Sequence, residues 1–194
     1  MGLSAVAPGQ IATIVTSLEM RAAPTPRPMP PSPLRLMRWH NPHAEPYRRL
    51  FRRIGEPWLW FSRLVMHDEA LAAIVGDERV EIYPVVDRAG IEVGILELDF
   101  REPHECEIAF FGLIPELAGK GHGRWLMAHG LSLAWRKGIE RLWVHTCTLD
   151  HPSALGFYRA QGFIPFDRAV ETFADPRLAG ILPRAAAPHV PIIG

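Results

Sequence analysis

Glycines at positions 119, 121 and 123 follow an apolar run and lead into a helical one, within the stretch F-F-G-L-I-P-E-L-A-G-K-G-H-G-R (110–124). Glycine has no Cβ and lets the backbone approach a ligand closely. The unpaired N–H groups of a helix's first turn, with the positive end of its dipole, favour an anion there. The stretch reads either as a phosphate cradle or as a tight strand-to-helix packing turn, and spacing alone leaves both open. Two other phosphate motifs do not fit. A P-loop ends in Gly-Lys-Ser/Thr, whereas Gly121 is followed by His122. A dinucleotide fingerprint needs G-x-G-x-x-G and an acid about 20 residues on. Here the glycines are spaced differently, and Glu140 lies in a turn after Gly138.

Other residues with chemical potential carry weaker patterns. Nine histidines suggest a metal, but His40-x-x-His43 encloses Pro42 and no cysteine or acid pattern completes a zinc set, so none is expected. His145, between Val144 and Thr146, reads as a packed polar residue. Cys106 and Cys147 lie in apolar runs and read as buried, reduced thiols. Arg48, Arg49, Arg52 and Arg53 have helical spacing and read as a solvated face. The 21 basic and 21 acidic residues cancel, which argues against a nucleic-acid partner. No apolar run reaches the roughly 18 residues of a membrane span. The N-terminus lacks a secretory pattern, and Val6 stands where a myristoylation signal after Met1-Gly2 needs Ser or Thr. The expectation is a cytoplasmic protein with no membrane partner. Hydrophobic residues make up 48% of the chain, enough for a core without disulfides or metal.

The elements that must position these residues follow from periodicity and turn chemistry. Ile11 to Leu18 is β-branched enough for a strand, read as a detached edge strand that packs back on the domain or on a neighbouring subunit. Residues 22–33 are proline-dense and read as a stiff, extended linker. Leu34 to Trp39 predicts a short strand. Glu45 to Ile54 puts Tyr47, Leu50, Phe51 and Ile54 on one helical face, stopped by Gly55 and Pro57, and Asp68 to Val75 predicts a second helix. Val80–Val86 and Ile91–Asp99 predict a hairpin around Asp87-Arg88-Ala89-Gly90. Glu105 to Ile114 predicts a strand that feeds the glycine turn, after which a long helix runs through Arg136 and breaks at Gly138. A strand at Arg141–Thr146 and a helix over about 152–161 come next. Phe163–Phe166 and Ala169–Phe173 suggest a terminal hairpin, and the Ala/Pro-rich tail from Pro183 is expected to be disordered or loosely packed. The order argues for an α/β (mixed) sheet with helices on both faces.

Two of these segments together resemble a known family. Ala118-Gly119-Lys120-Gly121-His122-Gly123 resembles the R/Q-x-x-G-x-G/A signature of the GNAT acetyltransferase superfamily, with apolar Trp125-Leu126-Met127 after it. Downstream, Ala154-Leu155-Gly156-Phe157-Tyr158-Arg159-Ala160-Gln161-Gly162-Phe163 is similar to the family's A-x-x-x-Y-x-x-x-G-F. The matches cover residues 107–163 closely, and earlier elements match in order only. Ala118 stands where the signature opens with Arg or Gln, which removes one side-chain contact to a pyrophosphate, and His151 stands where Asn is frequent.

The resemblance implies a GNAT-like central sheet, mostly antiparallel and splayed in the middle, with acetyl-CoA as co-substrate. It implies an N-acetyltransferase in which a primary amine attacks directly within a ternary complex, so neither cysteine is needed as a nucleophile. Glu107 is then the expected base, with Glu105 as the alternative, and Tyr158 the expected acid. The Phe111 N–H would polarise the carbonyl, and Phe111 and Leu113 would pair with the pantetheine arm. Gly119, Lys120, Gly121, His122, Gly123 and Arg124 would hold the pyrophosphate. Trp58, Trp60 and Phe61 are core aromatics or walls of the acceptor site. The acceptor is a small-molecule or peptide amine, and the competing function is a non-catalytic acyl-CoA-binding sensor or scaffold. The expected division is 1–33 as edge strand and linker, 34–182 as the catalytic domain and 183–194 as tail. A chain starting at Leu34 is then expected to fold, and the detached strand leaves a homodimer open.

Overall fold

The computed structural model describes residues 2–25 and 27–194; Met1, at the head of the myristoylation pattern, and Pro26 of the linker lie outside them. Seven strands form one sheet: β1 (Gln10–Met20), β2 (Arg35–Leu36), β3 (Val80–Val86), β4 (Glu92–Asp99), β5 (Glu105–Leu113), β6 (Arg141–Cys147) and β7 (Ile164–Ala174). Their spatial order is β2-β3-β4-β5-β6-β1-β7, with every neighbouring pair antiparallel except β5 and β6. Among the described residues four α-helices complete the fold: α1 (Ala44–Gly55), α2 (Asp68–Val75), α3 (His122–Ala134) and α4 (Ala154–Ala160). Among the described residues no helix is long and apolar enough to cross a membrane.

Alternation along β4 divides the core. Ile95 joins Tyr47, Phe51, Ile54 and Leu71 of α1 and α2 on one face, while Leu96 and Leu98 join Leu126 and Met127 of α3 on the other. Each such fully buried side chain contributes about 1.5–3 kcal/mol. Close packing also explains Gly55, where a Cβ would stand 2.3 Å from the Trp60 Cβ.

Three expectations are corrected. The N-terminal strand is not a detached edge. Its residues pair with β6 from Val15↔Cys147 to Met20↔Leu142, and with β7 from Gln10↔Ala174 to Glu19↔Ile164. Leu18 and Met20 lie in the main core, so the strand satisfies two backbone edges and buries apolar surface together. The terminal hairpin is instead the single strand β7, kept in step with β1 through a register shift at Ser17/Leu18. The tail is packed, not loose. The Arg177 side chain is 1% exposed, pairs with Asp175 at 2.8 Å and donates to the carbonyls of Ala186, Ala187 and Val190. Those bonds hold Leu182, Ala186 and Ala187 in an apolar cluster with Ile11, Leu59 and Leu149.

The sheet opens in its middle. Pairing of β5 with β6 is confined to Glu105↔Arg141, Cys106↔Leu142 and Glu107↔Trp143. Beyond Glu107, β5 follows β4, with an irregularity at Glu97/Leu98 that turns it away from β6. The gap that results is where the site lies.

Candidate active site

A cavity of about 840 Å³ runs through the gap between β5 and β6 and reaches both faces of the sheet. Its first wall is β5. The Ile114 N–H donates to the Val93 carbonyl at 2.9 Å. Backbone groups alternate along a strand, so the N–H groups of Phe111 and Leu113 point away from β4, into the gap. The chain then reaches α3 through Gly119 and Gly121, whose φ angles of +73° and +84° suit glycine and strain other residues. Gly121 is the N-cap of α3 and no side chain caps that end, which leaves first-turn N–H groups available to an anion. Gly123 has no positive φ, and a Cβ there would meet only the Phe157 ring at 3.8 Å.

Six of the eight residues expected to hold the cofactor line this cavity: Phe111, Leu113, Gly119, Gly121, Gly123 and Arg124. Lys120 and His122 are not among the lining residues. Lys120 is exposed, and His122 turns its Nδ1 to the Ser32 Oγ at 3.0 Å, tying the proline-rich segment to the glycine turn.

Glu107 and Tyr158 face the same cavity from different elements. Tyr158 is buried against Phe111, Phe157 and Phe163, and burial, then the nearby Asp150 charge, raises its hydroxyl above the ordinary phenol range. Glu107 lies at the last β5–β6 pair, and its Oε1 is 3.3 Å from His145 Nδ1. That bond raises the His145 imidazole; partial burial opposes it, and the charges of Glu107, Asp150 and Glu171 reinforce it. Glu105, the alternative base, is engaged with Arg141 at 3.0 Å and does not line the cavity. Cys106 is buried in the core and Cys147 lines the far wall; burial raises both thiols, which disfavours the thiolate.

Three cavity residues were not singled out as functional from sequence: His145, Asp150 and Glu171. For His145 a signal existed. In Arg141–Cys147 the residues Leu142, Val144 and Thr146 are buried, so Trp143, His145 and Cys147 share the opposite face with Glu107. Asp150 accepts from the Trp60 indole at 3.1 Å, the Thr146 hydroxyl at 2.7 Å and the Cys147 N–H at 3.0 Å. Glu171 sits opposite Thr13 across the β1–β7 ladder, a placement that requires the N-terminal strand.

The end of the cavity beyond His145 is walled by distant segments. Trp58, Trp60 and Phe61 all line it, and the Phe61 and Phe173 rings lie 4.9 Å apart. Leu59 in that loop has φ +57°, unusual for a branched side chain, and is held by its burial in the cluster with the C-terminal tail. Arg63 anchors the loop to buried Glu97 at 2.6 Å, and Tyr47 donates to the same carboxyl at 2.5 Å. Burial raises the Glu97 carboxyl, and the Arg63 charge opposes that. Among the described residues no group of three or more His, Cys, Asp or Glu side chains is placed to hold a metal.

A family model described as acetyltransferase (GNAT) family matches residues 34–163. No curated protein sequence matches the chain. Among solved structures, a GCN5-related N-acetyltransferase from Sphaerobacter thermophilus is similar with a TM-score of 0.61 at 16% identity, over 86% of this chain and 52% of that one. A functionally unknown conserved protein from Staphylococcus epidermidis gives 0.58 at 13% identity, over 86% and 63%. An aminoglycoside acetyltransferase from an uncultured soil metagenomic sample, in complex with sisomicin, gives 0.55 at 16%, over 67% and 88%. The chain thus spans about half of the first protein and under two thirds of the second. At these identities the likeness is one of fold.

Proposed function

The chain belongs to the acetyltransferase (GNAT) family, and from that premise we propose that it transfers an acetyl group from acetyl-CoA to a primary amine by direct attack in a ternary complex. The observation that carries this reading is the single cavity. One opening in the sheet holds an uncapped helix start preceded by two left-handed glycines, a free strand edge, a carboxylate–imidazole pair and a buried phenol.

The cavity suits acetyl-CoA on its own terms. Gly119, Gly121, Gly123 and Arg124 would take the pyrophosphate, and the N–H groups of Phe111 and Leu113 would face the pantetheine arm. Acetyl-CoA supplies the activated acyl group. An amine at neutral pH arrives as an ammonium and must lose a proton before it can attack, and the Glu107–His145 pair takes that proton. The Phe111 N–H donates toward the carbonyl oxygen as charge develops there. Tyr158 hydrogen-bonds to the departing sulfur and passes it a proton. Burial holds that phenol neutral, so its O–H stays available as a hydrogen-bond donor to the sulfur.

Calorimetry with acetyl-CoA and a thiol-release assay over a panel of amines test the reading. Tyr158→Phe keeps the ring and removes the hydroxyl, so affinity for acetyl-CoA should hold within a few-fold while turnover falls roughly 10²-fold. A fully active Tyr158→Phe protein would remove the acid assignment. Acetyl-CoA binding with no thiol release for any amine would favour the non-catalytic sensor.

A further inference from the structure

Charge is distributed unevenly along the cavity. At the glycine end, Arg124 and the start of α3 present positive charge. Beyond the thioester position, each arginine has its own carboxylate: Arg63 pairs with Glu97 and Arg101 with Asp99. Glu107, Asp150 and Glu171 remain, three carboxylates against the imidazoles of His145 and His151. Asp150 is bonded only by neutral donors, which orient its charge without cancelling it. The acceptor end therefore stays net negative even with both imidazoles protonated. Thr13 and Ser62 add neutral hydroxyls, and the apolar part of the lining is Val15, Leu59 and Cys147 with the paired rings of Phe61 and Phe173.

We infer that the acceptor is a primary amine on an apolar body of about ring size, with no carboxylate. The inference rests on the proposed N-acetyltransferase reading and specifies its substrate class. The ammonium is drawn to Glu107, Asp150 and Glu171 and gives up its proton at the Glu107–His145 pair. The body lies against the Phe61–Phe173 wall. A carboxylate on the same molecule would face three like charges with no free arginine to receive it. The repulsion sets the site against free amino acids, and the aromatic wall favours a ring over an open polyamine chain.

The test compares four amines with acetyl-CoA in the thiol-release assay: 2-phenylethylamine, ethylamine, phenylalanine and spermidine. Ethylamine removes the apolar body, phenylalanine adds only the carboxylate, and spermidine adds charge without a ring. The expected result is a kcat/KM for 2-phenylethylamine at least tenfold above each of the others. Glu171→Gln should lower the ratio of 2-phenylethylamine to phenylalanine by at least threefold, because one of the repelling charges is gone, while the calorimetric Kd for acetyl-CoA stays unchanged. Preference for phenylalanine or spermidine would overturn the inference and leave the acetyltransferase reading standing. So would turnover of another amine of the panel with none of 2-phenylethylamine. Failure to bind acetyl-CoA at all would instead sink the underlying reading, and the acceptor class with it.

Discussion

At its glycine end the cavity is walled mainly by residues 108–124, one continuous stretch from β5 into α3, closed by Phe157 and Tyr158 of α4. At the end proposed for the acceptor it is walled by Thr13 and Val15, by 58–63, by 145–151, and by Glu171 and Phe173. The first half is local in the chain, and backbone groups do most of its work. The second is assembled from four separated segments, and its features are side chains. A local half tolerates changes elsewhere in the molecule, whereas an assembled half inherits the stability of everything that positions it. It is also the half in which a family can change its substrate without altering how it holds the cofactor.

The harshest way to break this comparison is to remove residues 1–33. Leu18 and Met20 leave the core, and β6 and β7 lose the strand between them. We expect no cooperative thermal transition by circular dichroism and no soluble folded protein. A folded fragment that still binds acetyl-CoA would show that the local half stands without β1.

Arg177→Met attacks the assembled half alone. It strands the buried Asp175 carboxylate and releases the tail carbonyls, at a cost of about 3 kcal/mol in a denaturant melt. Because the tail packs with Leu59, the KM for the amine should rise while acetyl-CoA affinity is kept. Equal losses for both ligands would mean that the halves are one mechanical unit.

Gly121→Val probes the local half. A branched residue at φ +84° is strained, and its methyl groups would intrude at the helix start. Acetyl-CoA affinity should fall at least tenfold, about 1.4 kcal/mol. Gly123→Ala, with no positive φ and only ordinary van der Waals contact at its Cβ, should leave thermal stability unchanged. Calorimetry on folded Gly121→Val protein showing native affinity would remove the phosphate cradle.

The smallest effect separates the two members of the proton-accepting pair. Glu107 favours the charged imidazole and so raises His145 above its usual value near roughly 6.5. If His145 takes the amine proton, rate rises as pH increases through that raised value. Glu107→Gln removes the favouring carboxylate, so the acidic limb of the pH–rate profile should move to lower pH without vanishing. A limb that disappears would make Glu107 itself the base, as the sequence alone suggests.

The two halves also differ in how far they could be read before the structure. Gly119, Gly121 and Tyr158 belong to short patterns whose meaning lies in spacing along the chain, so the glycine turn and the phenol were legible. Lys120 and His122 were not, because spacing says which residues are in a turn but not which way each side chain leaves it. His145 carried a signal in the alternation of β6. That signal becomes informative only once β6 is known to run parallel beside Glu107.

The sequence by itself determined the four α-helices and the strands from Val80 to Cys147 to within a few residues, along with the glycine turn between them, because periodicity and turn chemistry act over a few neighbours. Only the tertiary structure decided that β1 enters between β6 and β7, that β7 is one strand, and that the C-terminal tail is stapled by Arg177. Strand partners depend on which unpaired backbone edges and apolar faces remain after the rest has folded, and that is a property of the whole chain. The acceptor end of the cavity is made of those late decisions.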